Sequence, residues 1–156
     1  MRLSIIAIGK QKNHPTFELT QTYFKRLPFS GTIIELETSQ LSNSQRAIEE
    51  STKISDYLSQ KTIKGHRLIT MDKSGRDTSS EQLAELISNW RDEGVSSCYF
   101  AVGGADGHTK SLINSADSCL RFGSATWPHL LFRAMLAEQL YRAEMILKNH
   151  PYHKSH

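Results

Sequence analysis

The residues with the most varied chemistry in this chain sit at its end, in Asn149-His150-Pro151-Tyr152-His153-Lys154-Ser155-His156. Tyrosine can stack on a base, histidine can take a proton near neutral pH, and lysine can touch a phosphate. Side by side, Tyr152, His153 and Lys154 form either a working tail on nucleic acid or a frayed terminus without function. His150 and His153 have no third ligand of clear position, so no metal is expected.

Just upstream, the segment from Leu130 to Leu147 is apolar almost all the way round a helix. Its few polar positions therefore stand out: Arg133, Glu138, Gln139 and Arg142. Glu138 and Arg142 are spaced i,i+4 in the favourable order and read as a structural ion pair. Arg133 and Arg142 are expected to keep capacity for phosphate. A helix apolar on every side is buried on every side, so a homodimer is expected along it, and a charge at Leu140 is expected to weaken that dimer or aggregate the protein.

Three loops complete the candidate set. Met71-Asp72 leads into Lys73-Ser74-Gly75, where Asp72 either meets a ligand or starts an Asx turn. Gly103-Gly104-Ala105-Asp106-Gly107 is either a tight strand-to-helix turn or a place where the backbone approaches a ligand closely. Its spacing is not the dinucleotide fingerprint. Gly123-Ser124-Ala125-Thr126-Trp127-Pro128 either caps a helix at Thr126 or offers free backbone groups to the edge of a purine.

The elements that must hold these loops alternate. Strands are expected at Leu3–Ile8, Thr32–Leu36, Arg67–Met71, Cys98–Val102 and Cys119–Phe122. Helices are expected over His14–Arg26, stopped by Pro28, and over Ser42–Ser59, with Ile48, Ile54 and Leu58 inward. Lys64-Gly65 turns the chain. A third helix starts at Ser79 or Ser80, carries Leu83, Leu86, Ile87 and Trp90, and ends at Gly94. A short one covers Ser111–Ala116, and a long one opens with Pro128 in its first turn and runs to about Leu147. Alternation of this kind implies an α/β fold, a mostly parallel sheet with helices on both faces. Ligands of such folds sit at the carboxyl ends of the strands, where all three loops fall.

The 156 residues, 17.7 kDa and net charge of +3 fit one domain, 1–156, that permits but does not require a nucleic-acid partner. The region from Arg121 onward is more basic: Arg121, Arg133, Arg142, Lys148 and Lys154 face only Glu138 and Glu144. Cys98 and Cys119 are isolated, as expected of a reducing, cytoplasmic setting. No run approaches the length of a membrane span, and Met1–Gly9 reads as a strand rather than a signal segment.

Several segments occur together in order: Met71-Asp72 with Gly75, Val102-Gly103-Gly104 with Gly107, and Thr126-Trp127-Pro128-His129 through Arg133. After them come Glu138-Gln139-Leu140-Tyr141-Arg142-Ala143 and Pro151-Tyr152-His153-Lys154. Across its whole length the chain resembles the RlmH family of the SPOUT methyltransferase class. That resemblance implies S-adenosyl-L-methionine as methyl donor and N3 of a pseudouridine in 23S ribosomal RNA as acceptor, within a ribosomal particle. It also implies an α/β knot with a C-terminal trefoil knot, and a homodimer. The donor site it implies comprises Met71, Asp72, Gly103, Gly104, Gly123, Ser124, Ala125, Thr126, Trp127 and Pro128. Trp127 stands where the family often has a smaller aliphatic residue, and Gly123 where serine is common.

Methyl transfer from a sulfonium needs alignment and exclusion of water more than acid–base machinery. The acceptor N3–H must still lose its proton. His153 is the expected proton acceptor, Arg142 the group that stabilises charge, and Tyr152 the group that stacks on or orients the base. Arg133, Arg142 and Lys154 are the expected RNA contacts. The rival readings are an RNA-binding ribosome-assembly module that binds no donor, and a nicotinamide-dependent oxidoreductase. The absence of a glycine fingerprint after Ile8 counts against the latter.

Overall fold

The inner strands of the sheet are buried on both faces where their apolar runs lie, and the edge strands are mostly half-buried. The computed structural model describes residues 1–28, 31–60 and 65–154, with side chains as far as residue 152. Five strands, β1 (Arg2–Ile8), β2 (Ile33–Leu36), β3 (His66–Asp77), β4 (Ser97–Val102) and β5 (Ser118–Arg121), lie in the order β2-β1-β4-β3-β5. All four pairings are parallel. Alternation within β1 sends Leu3, Ile5 and Ala7 to one core and Ile6 and Ile8 to the other.

The larger core collects α1 (Thr16–Arg26), α3 (Ser80–Asp92) and α5 (His129–Leu147). The smaller one collects α2 (Asn43–Ser59) and α4 (Lys110–Ser115). A parallel sheet with helices on both faces is the expected architecture, and it is the observed one. Helix α3 begins at Ser79 with a full capping box to Gln82. Helix α5 begins one residue after Pro128, not at a Thr126 cap.

Three expectations need correction. Helix α2 turns Ala47, Glu50, Ser51, Ile54 and Leu58 inward and leaves Ile48 57% exposed. Its inner stripe runs one step away from Ile48 and carries a carboxylate. Leu140 is fully buried in the chain's own larger core. Helix α5 packs the face that carries Leu140 against α1, α3 and β1, so Leu140 serves the monomer at about 2 kcal/mol and not a dimer face. Strand β3 runs well past Met71. Leu120 pairs with both Met71 and Arg76, so residues 72–75 bulge out and the chain then rejoins β5. The turn-type residues Asp72-Lys73-Ser74-Gly75 mark the bulge but hide the return.

At that bulge Gly75 lies flat against β5. A methyl group there would come within 2.6 Å of the Leu120 backbone and 2.8 Å of the Cys119 carbonyl carbon. Lys64 of the expected Lys64-Gly65 turn, the side chains of His153 and Lys154, and all of Ser155 and His156 lie outside the described residues. The backbone from Pro151 to Lys154 forms one turn of 3-10 helix after α5.

Candidate active site

The β3 bulge and the carboxyl ends of β4 and β5 open onto one cavity of about 580 Å³, within the usual span of about 300–1,000 Å³ for ligand sites. Met71 and Asp72 line it from the first loop, and Gly103 and Gly104 from the second. Gly123, Ala125, Thr126, Trp127 and Pro128 line it from the third. Ser124 is exposed and does not contribute to the wall. Residues that sequence reasoning missed join them, among them Phe122, His129 and Phe132. Phe122 and Phe132 rings pack at 5.7 Å, giving the cavity an apolar side.

The loops also hold one another. Asp72 forms the Asx turn, accepting from the Ser74 N–H at 2.9 Å and its hydroxyl at 2.7 Å. Partial burial opposes its charge, but those bonds, with His108 and Lys73 nearby, keep its carboxyl below the ordinary range. Gly107, at a φ of +69, donates its N–H to the Gly104 carbonyl at 3.1 Å, and a Cβ there would lie 3.5 Å from the other Asp72 oxygen. The glycine loop is therefore a tight turn and a cavity wall at once.

Behind the loop stands Glu50, 1% exposed. One oxygen accepts the Ser39 N–H at 3.0 Å; the other has no hydrogen-bond partner among the described residues. That second oxygen would lie 2.6 Å from any methyl placed on Gly104. Any larger residue there must push the Glu50 carboxylate aside. The signal for Glu50 was available as a charge on the 3–4 spaced inner stripe of α2. His129, at the first turn of α5, is kept neutral by burial and by Arg133, with the Glu50 charge opposing.

Arg133 corrects an expectation outright. Its side chain is fully buried and donates to the carbonyls of Ile8 and Gly9 and to Glu35, at 3.2 Å for the carboxylate. Glu35 also accepts the Gln11 N–H at 2.8 Å. A guanidinium so enclosed is spent on tying α5 to the ends of β1 and β2, and has no face for RNA phosphate.

Arg142 and Tyr152 form a separate cluster. Arg142 grips Glu138 at 2.7 and 2.9 Å, the ion pair expected from spacing. The Tyr152 hydroxyl donates to the same Glu138 oxygen at 3.1 Å, and its ring lies 4.9 Å from the Arg142 guanidinium and 4.9 Å from Tyr141. Burial, with the neighbouring Tyr23 and Glu138, holds the Tyr152 phenol well above its usual range, so it is a hydrogen-bond donor and not a base. Neither Arg142 nor Tyr152 lines the loop cavity of its own chain. Glu138 instead borders a second, largely apolar groove with Leu19, Tyr23, Leu131 and Met135.

A parallel sheet with a ligand-sized cavity walled by three loops at its carboxyl edge fits one class closely. The model of the family described as "Predicted SPOUT methyltransferase" matches residues 1–153, and the chain belongs to that family. Among curated proteins it is similar to "Ribosomal RNA large subunit methyltransferase H" of Mesorhizobium japonicum, 41% identical over 160 residues, covering 99% of this chain and 100% of that one. The same name is carried by the relative from Erythrobacter litoralis, 43% identical over 155 residues with 99% of each chain covered. It is carried too by that of Bradyrhizobium diazoefficiens, 39% identical over 164 residues, with 99% and 100% covered. Among the described residues no group of acids, histidines and cysteines could hold a metal, and no helix is long and apolar enough to cross a membrane.

Proposed function

We propose that this chain transfers a methyl group from S-adenosyl-L-methionine to N3 of a pseudouridine in large-subunit ribosomal RNA, as a cytoplasmic homodimer. The supporting observation is the convergence of Met71, Gly103, Gly104, Gly123 and residues 125–128 on one cavity, beside the full-length likeness to relatives of that name. Backbone groups of small residues can approach a nucleoside closely, and the Phe122 and Phe132 side excludes water. The donor supplies an electrophilic methyl group on a sulfonium. The chain must hold it, align N3 and take the N3 proton.

The second groove, with Leu19 47% and Leu131 36% exposed, is the surface proposed for the partner subunit. Packing there brings the Glu138–Arg142–Tyr152 cluster and the His153 and Lys154 segment of one subunit to the cavity of the other. Arg142 then stabilises developing charge, Tyr152 orients the base, and His153 accepts the proton. The close passage of Gly75 over β5 supports a C-terminal trefoil knot in the same reading.

Mass spectrometry of ribosomal RNA from cells lacking the chain tests the activity: one large-subunit pseudouridine loses its methyl group, and an unchanged spectrum refutes the proposal. Calorimetry with S-adenosylmethionine separates the enzyme from a donor-free RNA-binding module. For the shared site, a variant blocked in the cavity by Trp at Gly123 is mixed with one truncated before Pro151. Subunit exchange restores partial activity if the site is composite; exchange without recovery overturns it.

A further inference from the structure

With Arg133 enclosed and Arg142 paired, RNA needs other cations near the cavity, and three are present. Lys73 comes from the β3 bulge, Lys110 from the first residue of α4, and Arg121 from the last residue of β5. All three line the one cavity although 48 residues separate Lys73 from Arg121 in sequence. Lys73 and Lys110 are exposed. Neither forms an ion pair among the described residues.

Arg121 is fixed in place by donating to the Lys73 carbonyl at 3.2 Å. Its ion pair with the exposed Asp77 is long, 3.9 Å, and the same carboxylate oxygen accepts the Gly123 N–H at 2.8 Å, so the pairing is weak. Two carboxylates also line the cavity. Asp106 is paired with Arg46 at 3.3 Å, and Asp72 stays ionised, so with Asp77 two carboxylates face the three cations. Positive charge is therefore left in excess around the opening.

Cations brought together from three elements repel one another, and an anion relieves them. The methyl donor is a poor candidate, since it carries a sulfonium and an ammonium against a single carboxylate. A polyanion threading its reactive base into the cavity presents several phosphates around the opening. Resting on the methyltransferase reading above, we infer that Lys73, Lys110 and Arg121 form a phosphate clamp. It holds the RNA backbone on either side of the target nucleotide and aims that base at the donor.

The test uses the full chain with Lys73→Gln and Lys110→Gln, singly and together, and Lys12→Gln as an exposed control away from the cavity. Donor affinity is measured by calorimetry. The substrate is ribosomal particles from cells lacking the chain, with KM followed from 50 to 200 mM salt. Taking away two lysine–phosphate pairs reduces the salt slope by about 1.4, so wild type loses about sevenfold more affinity than the double variant over that range. Donor affinity and the control stay at wild-type values. An unchanged salt slope in the double variant overturns the clamp. Weakened donor binding also overturns it, by making the lysines part of the donor site. Wild-type protein that neither binds donor nor modifies RNA fails the underlying reading instead, and is seen before any variant is made.

Discussion

Gly75→Ala places a methyl group against main chain on every side it could turn. The new carbon would lie 2.6 Å from both the nitrogen and the carbonyl carbon of Leu120 and 2.8 Å from Cys119. Carbon contacts are comfortable near about 3.5 Å, so the bulge and β5 must part by roughly 1 Å. No rotamer change relieves this, because the obstacles are backbone. Overpacking costs about 1–3 kcal/mol, and this case belongs at the upper end. At about 2–4 °C per kcal/mol for a chain of this size, the melting temperature falls by about 6–12 °C. The movement also carries Asp72, Lys73 and Ser74 off the cavity wall, so donor affinity falls by tenfold or more. Gly94→Ala is the control. Gly94 has a φ of +78 and no atom within 4 Å, so it suffers only left-handed strain of about 1–2 kcal/mol and leaves donor binding intact. Thermal unfolding at fixed protein concentration, with calorimetry on the folded protein, reads both effects. A Gly75→Ala protein that melts within about 2 °C of wild type and binds donor normally would refute the reasoning.

Gly104→Ala pushes the Glu50 carboxylate away from Ser39 and costs about 1.5–3 kcal/mol; with Glu50→Ala already present the same change is nearly free, and additive urea midpoints would show that the two do not touch. Cys98 is fully buried, and burial, aided by Asp117, pushes its thiol up to about 12; native protein therefore exposes only Cys119 to a thiol reagent, and labelling of both without denaturant contradicts this. Because the folded value is raised above the ordinary 9.0, the unfolded chain ionises first and stability falls between about pH 9 and 12, which Cys98→Ala abolishes. Leu131→Glu should give folded monomers by sedimentation, whereas Leu140→Glu should fail to fold; folded Leu131→Glu dimers would remove the groove from the interface.

Much of the fold is legible in the sequence because its signals are local. Short apolar runs, the Ser79 cap, Pro28 and Gly94 each act within a few residues, and the element order follows from them. Glu138 and Arg142 are legible for the same reason, lying one helical turn apart. What stays hidden depends on partners far along the chain. Arg133 looks free in the sequence because its acceptors are 124 and 125 residues away. Ile48 reads as inward when apolar character is weighed above helical phase, which instead buries Glu50. The return of β3 to β5 is masked by residues that also make turns, and the cationic rim of Lys73, Lys110 and Arg121 exists only once three separate loops converge.

The enclosed Arg133 also has a consequence in time. Strand β1 precedes the other strands in sequence and sits in the interior of the sheet, yet the carbonyls at its end and Glu35 on β2 are satisfied by a side chain from the last long helix. A nascent chain that has not yet released α5 leaves those acceptors open and the larger core without Leu136, Ala137 and Leu140. Since such long-range closure is slow, the interior of the sheet stays unsatisfied until α5 docks. A stretch of near-native, unfinished sheet is then exposed to other chains until the final helix docks.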